Sequence, residues 1–234
     1  MAVALITGAS RGLGRAVARD LAAAHWDLVI DARGSAALDA VAREVADIAP
    51  DVRVRAVAGD VADETHQEQL IEAVRYLGRL DLLVNNASVL GPSPQPVLAH
   101  YPLDVLADVY RVNVLAPLAL VQRALPLLRE SCGTIVDVTS DAAVEGYEGW
   151  GGYGSSKAAL EQLNNVLGAE EPGLSVYRFD PGDMRTQMHQ EAFPGEDISD
   201  RPEPETVVPA FRHLIESRPP SGRYRAAELL AVTR

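Results

Sequence analysis

The chain has 234 residues with 21 basic and 33 acidic side chains, so its formal net charge is −12. This acidic balance argues against a nucleic-acid-binding surface, which needs clustered positive charge, and against a membrane surface for the same electrostatic reason. No apolar run approaches the roughly 20 residues that cross a bilayer, and residues 1–7 lack the basic start of a signal peptide. The single cysteine, Cys132, has no internal disulfide partner, so we expect a reducing, cytoplasmic setting.

Short apolar runs alternate with longer helical patterns along the chain. The predicted strands are Val3–Thr7, Leu28–Ala32, Val52–Ala58, Leu80–Asn85, Gly133–Thr139, Ser175–Phe179 and Tyr224–Val232. The predicted helices are Gly12–Ala24, Ser35–Ala49, Glu64–Leu77, Asp104–Arg129, Tyr153–Ala169 and Thr206–Ser217; we expect Pro117 to interrupt the fourth and Pro126 to cap it. This alternation predicts an α/β fold, a Rossmann-type doubly wound parallel sheet of about seven strands with helices on both faces. We expect one domain over residues 1–234, with ligands at the carboxyl ends of the strands.

A glycine-rich turn lies between the first strand and the first helix. Its sequence is TGASRGLG over residues 7–14, with glycines at 8, 12 and 14. Glycines allow the backbone to turn tightly, and the free N–H groups of a helix N-terminus can bind an anionic pyrophosphate. The spacing departs from the G-x-G-x-x-G fingerprint, and a plain turn with glycines for packing is the alternative. Its position at the first strand–helix junction favours a dinucleotide site.

The residues after the second strand bear on which dinucleotide binds. The chain there reads Asp31-Ala32-Arg33, and Arg11 lies in the glycine turn. An arginine can form a charge-assisted bond with the 2′-phosphate of NADP(H), whereas an acid binds ribose hydroxyls and repels that phosphate. We therefore favour NADP(H). If Asp31 reaches the ribose, NAD(H) becomes the alternative.

Tyr153 and Lys157 lie four residues apart at the start of a predicted helix, and Lys157 is the only lysine in the chain. Residues at i and i+4 share a helix face. A tyrosine with an ordinary pKa of about 10 is a weak acid–base catalyst at neutral pH, and a nearby cation lowers that pKa. Ser140 follows the fifth strand, where its hydroxyl could polarise a substrate carbonyl beside the phenol.

These residues together resemble the short-chain dehydrogenase/reductase family, and the likeness covers nearly the whole chain. It includes the glycine turn, the strand-end residues that follow it and the Ser–Tyr–Lys set. The resemblance implies Tyr153 as general acid–base, Lys157 as its partner and a ribose ligand, Ser140 as the group that orients the substrate, and Asn113 as anchor of a proton relay. It implies further cofactor contacts by Gly8, Ser10, Arg11, Gly12, Leu13, Gly14, Arg33, Asp60, Val61, Asn86, Ala87, Pro181, Gly182 and Thr186.

The sequence leaves the substrate open. We expect a small carbonyl or alcohol compound, with residues 183–204 as a substrate lid that carries Met184, Met188 and Phe193. The alternatives are a non-catalytic NADP(H)-binding regulator and a carrier-linked 3-oxoacyl reductase. The five histidines show no paired spacing for a metal. By resemblance we expect a homo-oligomer through the two long helices, with a tetramer ahead of a dimer. Ser88 stands where the family usually has glycine.

Overall fold

The computed structural model describes residues 1–232, within which seven parallel strands form one sheet in the order β3-β2-β1-β4-β5-β6-β7. The strands are β1 (Val3–Ile6), β2 (Asp27–Ala32), β3 (Val54–Ala58), β4 (Leu82–Asn85), β5 (Thr134–Val138), β6 (Ser175–Asp180) and β7 (Gly222–Arg225). The helices are α1 (Gly12–Ala23), α2 (Ser35–Ile48), α3 (Glu64–Leu77), α4 (Leu103–Tyr110), α5 (Ala116–Ser131), α6 (Gly151–Glu170), α7 (Gln187–Ala192), α8 (Val208–Ser217) and α9 (Ala226–Val232). The predicted doubly wound parallel sheet is confirmed.

Helices cover both faces of the sheet, which explains the unbroken apolar strands. Alternate residues of β1 point to opposite faces, so that Ala4 and Ile6 pack with α1, α2 and α8, while Val3 and Leu5 pack with α3 and α5. A strand that is buried on both faces needs apolar residues at every position. The order of strands reverses between β1 and β4, and this switch point is where such sheets bind ligands.

The long helix predicted over Asp104–Arg129 is instead divided in two. A π-helical turn, Arg111–Leu115, lies between α4 and α5, and Pro117 is in the first turn of α5. Because Pro117 has no N–H to donate to the carbonyl of Asn113, the regular pattern breaks just before it. Pro126 does not cap the helix, since α5 continues through it to Ser131.

The predicted last strand, Tyr224–Val232, is wrong beyond its first two residues. Strand β7 ends at Arg225 and α9 begins at Ala226. Ala226 and Leu229 lie three residues apart and are both buried in the core beside α8, which is a helical and not an extended spacing. Most of the other predicted elements differ from the structure by one or two residues at their ends, and α7 forms within the 183–204 segment, for which the sequence shows no clear period. No helix among the described residues is long and apolar enough to span a membrane.

Candidate active site

A cleft of about 1060 Å³ opens at the carboxyl ends of the strands on both sides of the switch point. The glycine turn forms one end of the cleft. The cleft is also lined by Tyr153, Lys157 and Ser140. Nearly all the predicted site residues line this cleft. The exceptions are Gly14 and Asn113, which lie behind its wall.

The glycine turn has little room for side chains. Gly8 has a φ of +66°, and a Cβ there would come within 2.9 Å of the Ala87 Cα. A Cβ on Gly14 would come within 2.5 Å of both the Asn86 Nδ2 and the Gly8 carbonyl oxygen. Helix α1 starts at Gly12 without a side-chain cap, so its first N–H groups have no side-chain acceptor. These N–H groups form a cradle that fits an anionic group.

Two side chains hold this turn against the end of β4. The Nδ2 of Asn86 donates to the carbonyl oxygens of Thr7 at 2.8 Å and of Gly8 at 3.1 Å. The Thr7 hydroxyl oxygen accepts the backbone N–H groups of Asn86 and Ala87, each at 3.0 Å. The amide of Asn86 is therefore occupied by the protein itself, and its role is to shape the turn.

Two arginines and a buried acid lie at the same end of the cleft as the glycine turn. Arg11 and Arg33 are exposed and line the cleft, as do Asp60 and Val61. Asp31 is only 1% exposed, and its Oδ1 lies 2.6 Å from the Nε2 of His66 on α3. Its carboxylate is thus already paired within the protein.

Helix α6 brings Tyr153 and Lys157 to the cleft on its buried face. Its N-terminal turns approach the segment after β5 closely, because a Cβ on Gly154 would lie 2.5 Å from the Ala142 carbonyl oxygen. The Lys157 Nζ donates to the Val138 carbonyl oxygen at 2.8 Å and lies 5.6 Å from the centroid of the Tyr153 ring. The Ser140 hydroxyl, at the end of β5, donates to the Asp141 Oδ1 at 3.0 Å.

The pKa of Tyr153 is raised, which is opposite to the shift expected from Lys157. Burial is the largest cause, and the negative charges of Asp180 and Asp141 add to it, while a hydrogen bond with Ser88 opposes it. Burial also lowers the pKa of Lys157 to about 8, against the raising effects of Asp137 and Glu161. The phenol is therefore held in its protonated form.

Asn113 lies in the π-helical turn, and its side chain is fully engaged with neighbouring groups. Its Oδ1 accepts the Val89 N–H at 2.9 Å and the Ser88 hydroxyl at 3.1 Å. Its Nδ2 donates to the Val89 carbonyl oxygen at 2.9 Å and to the Ser156 hydroxyl oxygen at 3.0 Å. Asn113 thus joins the loop after β4 to α6, next to Tyr153.

Sequence reasoning missed a buried charge network beneath α6. Arg223 on β7 donates to the Glu161 Oε1 at 3.0 Å and to the Asp180 Oδ2 at 2.8 Å. Arg223 also donates to the Ser140 carbonyl oxygen at 3.2 Å. An arginine in a short edge strand gives no signal in the sequence, because its partners come from α6, β6 and the segment after β5.

A wall of rings extends from Tyr153 to the predicted lid. The Trp150 ring contacts Tyr153 edge-on, with centroids 5.8 Å apart, and also contacts Phe193 at 5.9 Å. Phe193 in turn lies 4.9 Å from the His189 ring. Thr186 caps α7 by accepting the His189 N–H at 3.1 Å, and Pro181, Gly182 and Thr186 line the cleft below it.

Comparison with known proteins agrees with this geometry. The short chain dehydrogenase family model matches residues 2–197. Sepiapterin reductase of Mus musculus is 35% identical over 200 residues, which cover 81% of this chain and 77% of that protein. A benzil reductase of Saccharomyces cerevisiae that forms (S)-benzoin is also 35% identical, over 81% of this chain and 74% of its own.

A solved structure shows the same likeness over the whole fold. A short chain dehydrogenase from Shigella flexneri, crystallised with NADP, superposes with a TM-score of 0.90 at 30% identity, and the match covers 97% of each chain. The fold and the cleft define a dinucleotide-binding oxidoreductase. This chain belongs to the short-chain dehydrogenase family.

Proposed function

We propose that the protein is an NADP(H)-dependent carbonyl reductase, which acts as an alcohol dehydrogenase in the reverse direction. The observation that carries the proposal is the meeting of Ser140, Tyr153 and Lys157 in one cleft with a glycine-lined anion cradle. The NADP bound to the Shigella flexneri relative supports the choice of dinucleotide.

The residues of the cleft fit a dinucleotide phosphate. The uncapped N–H groups of α1 would bind the pyrophosphate, and Gly8 and Gly14 leave the space that side chains would fill. Arg11 and Arg33 would bind the 2′-phosphate, because the guanidinium groups of both line the cleft. Contacts with the adenine, the ribose and the nicotinamide end would come from Ser10, Gly12, Leu13, Asp60, Val61, Ala87, Lys157, Pro181, Gly182 and Thr186.

When bound, NADPH supplies the hydride that reduces the substrate carbonyl carbon. The Ser140 hydroxyl would orient the carbonyl oxygen, and Tyr153 would donate its phenolic proton to that oxygen. The raised pKa of Tyr153 suits a proton donor, since it keeps the phenol protonated before the reaction. The charged form of Lys157 would then stabilise the phenolate that remains. Asn113 would hold Ser88 and the adjoining loop in place beside the phenol.

Replacement of Tyr153 by phenylalanine tests this mechanism. We expect Tyr153→Phe to lower the rate of NADPH oxidation with a panel of carbonyl compounds by about 10²–10⁴-fold, the usual contribution of a positioned acid. NADPH binding, measured by calorimetry, should change little. Tyr147→Phe is the matched control, since Tyr147 is half exposed and its hydroxyl bonds only with Asp141.

Turnover that survives in Tyr153→Phe would refute the role of the phenol. A wild-type protein that binds NADPH but turns over no carbonyl compound would instead favour the non-catalytic regulator. Activity confined to 3-oxoacyl groups on a carrier would favour the carrier-linked reductase.

We further propose that the substrate bears a ring. The Trp150 ring contacts Tyr153 and lines the cleft, as does His189, and Phe193 packs against both of these rings. Residues 183–204 would form the lid that carries Phe193 and His189. A planar substrate can stack on such a wall, where ring pairs add about 0.5–1.5 kcal/mol beyond the burial of area. The names of the sepiapterin and benzil reductases also denote ring-bearing carbonyl substrates.

We also propose that the chain forms a homo-oligomer, with a tetramer ahead of a dimer. Several apolar side chains on the α4–α5 and α6 helices face solvent in the single chain: Leu103 is 77% exposed, Leu115 58% and Val166 45%. Exposed apolar side chains of this size can contribute to association surfaces. We expect a second copy of this chain to cover these side chains, because the family resemblance places the oligomer contact on these helices.

A further inference from the structure

The buried pair of Asp31 and His66 lies beneath the end of the cleft that carries Arg33. The exposed fraction is 1% for Asp31 and 4% for His66, and the Nε2–Oδ1 distance is 2.6 Å. Asp31 is two residues from Arg33 at the carboxyl end of β2, and both line the cleft. An acid at this point is the feature that would disfavour a 2′-phosphate.

The histidine ring has no freedom to leave the acid. A Cβ on Gly59 would lie 2.3 Å from the Nδ1 of His66, so the ring packs directly on the backbone there. The Nδ1 is buried without a hydrogen-bond partner, and the Nε2 points to Asp31. Asp31 also carries a hydrogen bond from the Gly8 backbone, which links the pair to the glycine turn.

Both members of the pair favour holding a proton between them, because the pKa of each is raised. Burial would lower the pKa of His66, but the hydrogen bond and charge of Asp31 outweigh it and raise that pKa. Burial raises the pKa of Asp31, against the opposing effect of His66. The other charged groups that face the pair are Asp60, after β3, and Asp63, which caps α3. Both are acids, and they favour the protonated pair.

We propose that His66 neutralises Asp31 and thereby makes this end of the cleft selective for a 2′-phosphorylated dinucleotide. While the pair holds its proton its net charge is zero, and Arg11 and Arg33 attract the phosphate without an opposing charge from Asp31. As the pH rises through the raised pKa of His66, the proton is lost and one negative charge stays beside the phosphate site. His66 is therefore a specificity-determining residue that acts through Asp31; the inference rests on the proposed use of NADP(H).

The test is the ratio of affinities for NADP⁺ and NAD⁺, measured by calorimetry from pH 7 to pH 9.5. The 2′-phosphate is already doubly ionised in this range, because its second pKa is about 6. Titration of Lys157 affects both dinucleotides alike and cancels in the ratio. We expect the wild-type preference for NADP⁺ to fall by about tenfold over this range, the effect of about 1.4 kcal/mol of added repulsion.

Two variants and one control separate the possible causes. Asp31→Asn should keep a preference for NADP⁺ that does not vary with pH, since this variant has no carboxylate at residue 31. His66→Gln should shift the fall to lower pH, because the carboxyl then lacks its cationic partner. His25→Gln is the control: His25 forms the same kind of pair with Asp51, at 2.9 Å, but on the surface. It should match the wild type, and thermal unfolding will report whether each variant is folded.

An equal pH dependence in Asp31→Asn and in the wild type would overturn the inference. The comparison of these two proteins decides the question even if His66→Gln does not fold. A wild-type protein that prefers NAD⁺ at every pH would instead refute the proposed cofactor.

Discussion

Lys157 and Tyr153 show how burial sets the chemistry of single residues in this cleft. Both are nearly inaccessible to solvent, at 2% and 8% exposure, and burial disfavours the charged form of each. The pKa of the tyrosine therefore rises and that of the lysine falls to about 8. In the direction of reduction the site thus begins with a neutral phenol, which is the form that can donate a proton.

The lowered pKa of Lys157 predicts an unusually reactive amine. At pH 8 about half of its side chains should be uncharged, against less than about 1% for an ordinary lysine. We expect formaldehyde to reach Lys157 only through the cleft, so NADP⁺ should slow its reductive methylation at pH 8 at least severalfold. Peptide mass spectrometry gives the rate. The α-amino group of Met1, the other amine of the chain, is the internal control, and equal protection of both amines would contradict the placement of the dinucleotide.

At the scale of elements, the site depends on where three segments meet. Helix α6 carries the tyrosine and the lysine, the loop after β5 carries Ser140, and β7 supplies Arg223, which ties both to β6. The aromatic wall adds the segment before α6, with Trp150, and the lid with Phe193. None of these elements forms the cleft alone, so substrate preference should respond to changes outside the catalytic set.

Removal of the Trp150 ring tests the proposed substrate preference. We expect Trp150→Ala to raise KM for an aryl ketone such as acetophenone by about 5–10-fold, which corresponds to the loss of about 1–1.4 kcal/mol of ring contact. KM for an aliphatic ketone such as 2-octanone should change less than twofold. Tyr76→Ala is the control, because Tyr76 lies on the exposed side of α3. Phe179→Leu is unsuitable as a control, because Phe179 packs in the core. An equal rise of KM for both ketones would contradict stacking on this wall.

At the scale of the whole molecule, the strongly acidic chain still exposes apolar side chains on two of its helices. Repulsion between chains of net charge −12 opposes association, and apolar contact favours it. The proposed oligomer requires apolar contact between chains to outweigh their charge repulsion. Added salt should strengthen the association, because it screens the charges.

Light scattering after gel filtration measures the state of assembly. We expect a particle of about 100 kDa, four times the 25.0 kDa of one chain. Leu115→Asp should shift it toward smaller species, since a charge placed in an apolar contact is costly. Tyr76→Asp, at a comparably exposed residue of α3, should leave it unchanged. A wild-type particle of 25 kDa at every salt concentration tested would refute the proposal.

The sequence by itself determined the order of the strands and most helices along the chain, the parallel sheet and the position of the cleft at the carboxyl ends of the strands. These follow from local patterns: apolar runs for buried strands, glycines where a turn meets a helix, and a tyrosine and lysine spaced by one helical turn. The boundary between β7 and α9 was missed because a short apolar stretch fits either a strand or a helix.

The tertiary structure decided which distant side chains meet. It turned Asp31 from a candidate ribose ligand into the partner of His66, which lies 35 residues along the chain. It reversed the expected direction of the shift in the pKa of Tyr153, through burial and the charges of Asp180 and Asp141. The physical reason is the same in both cases: burial and charge act through space, and no local pattern records which side chains from other elements will surround a residue.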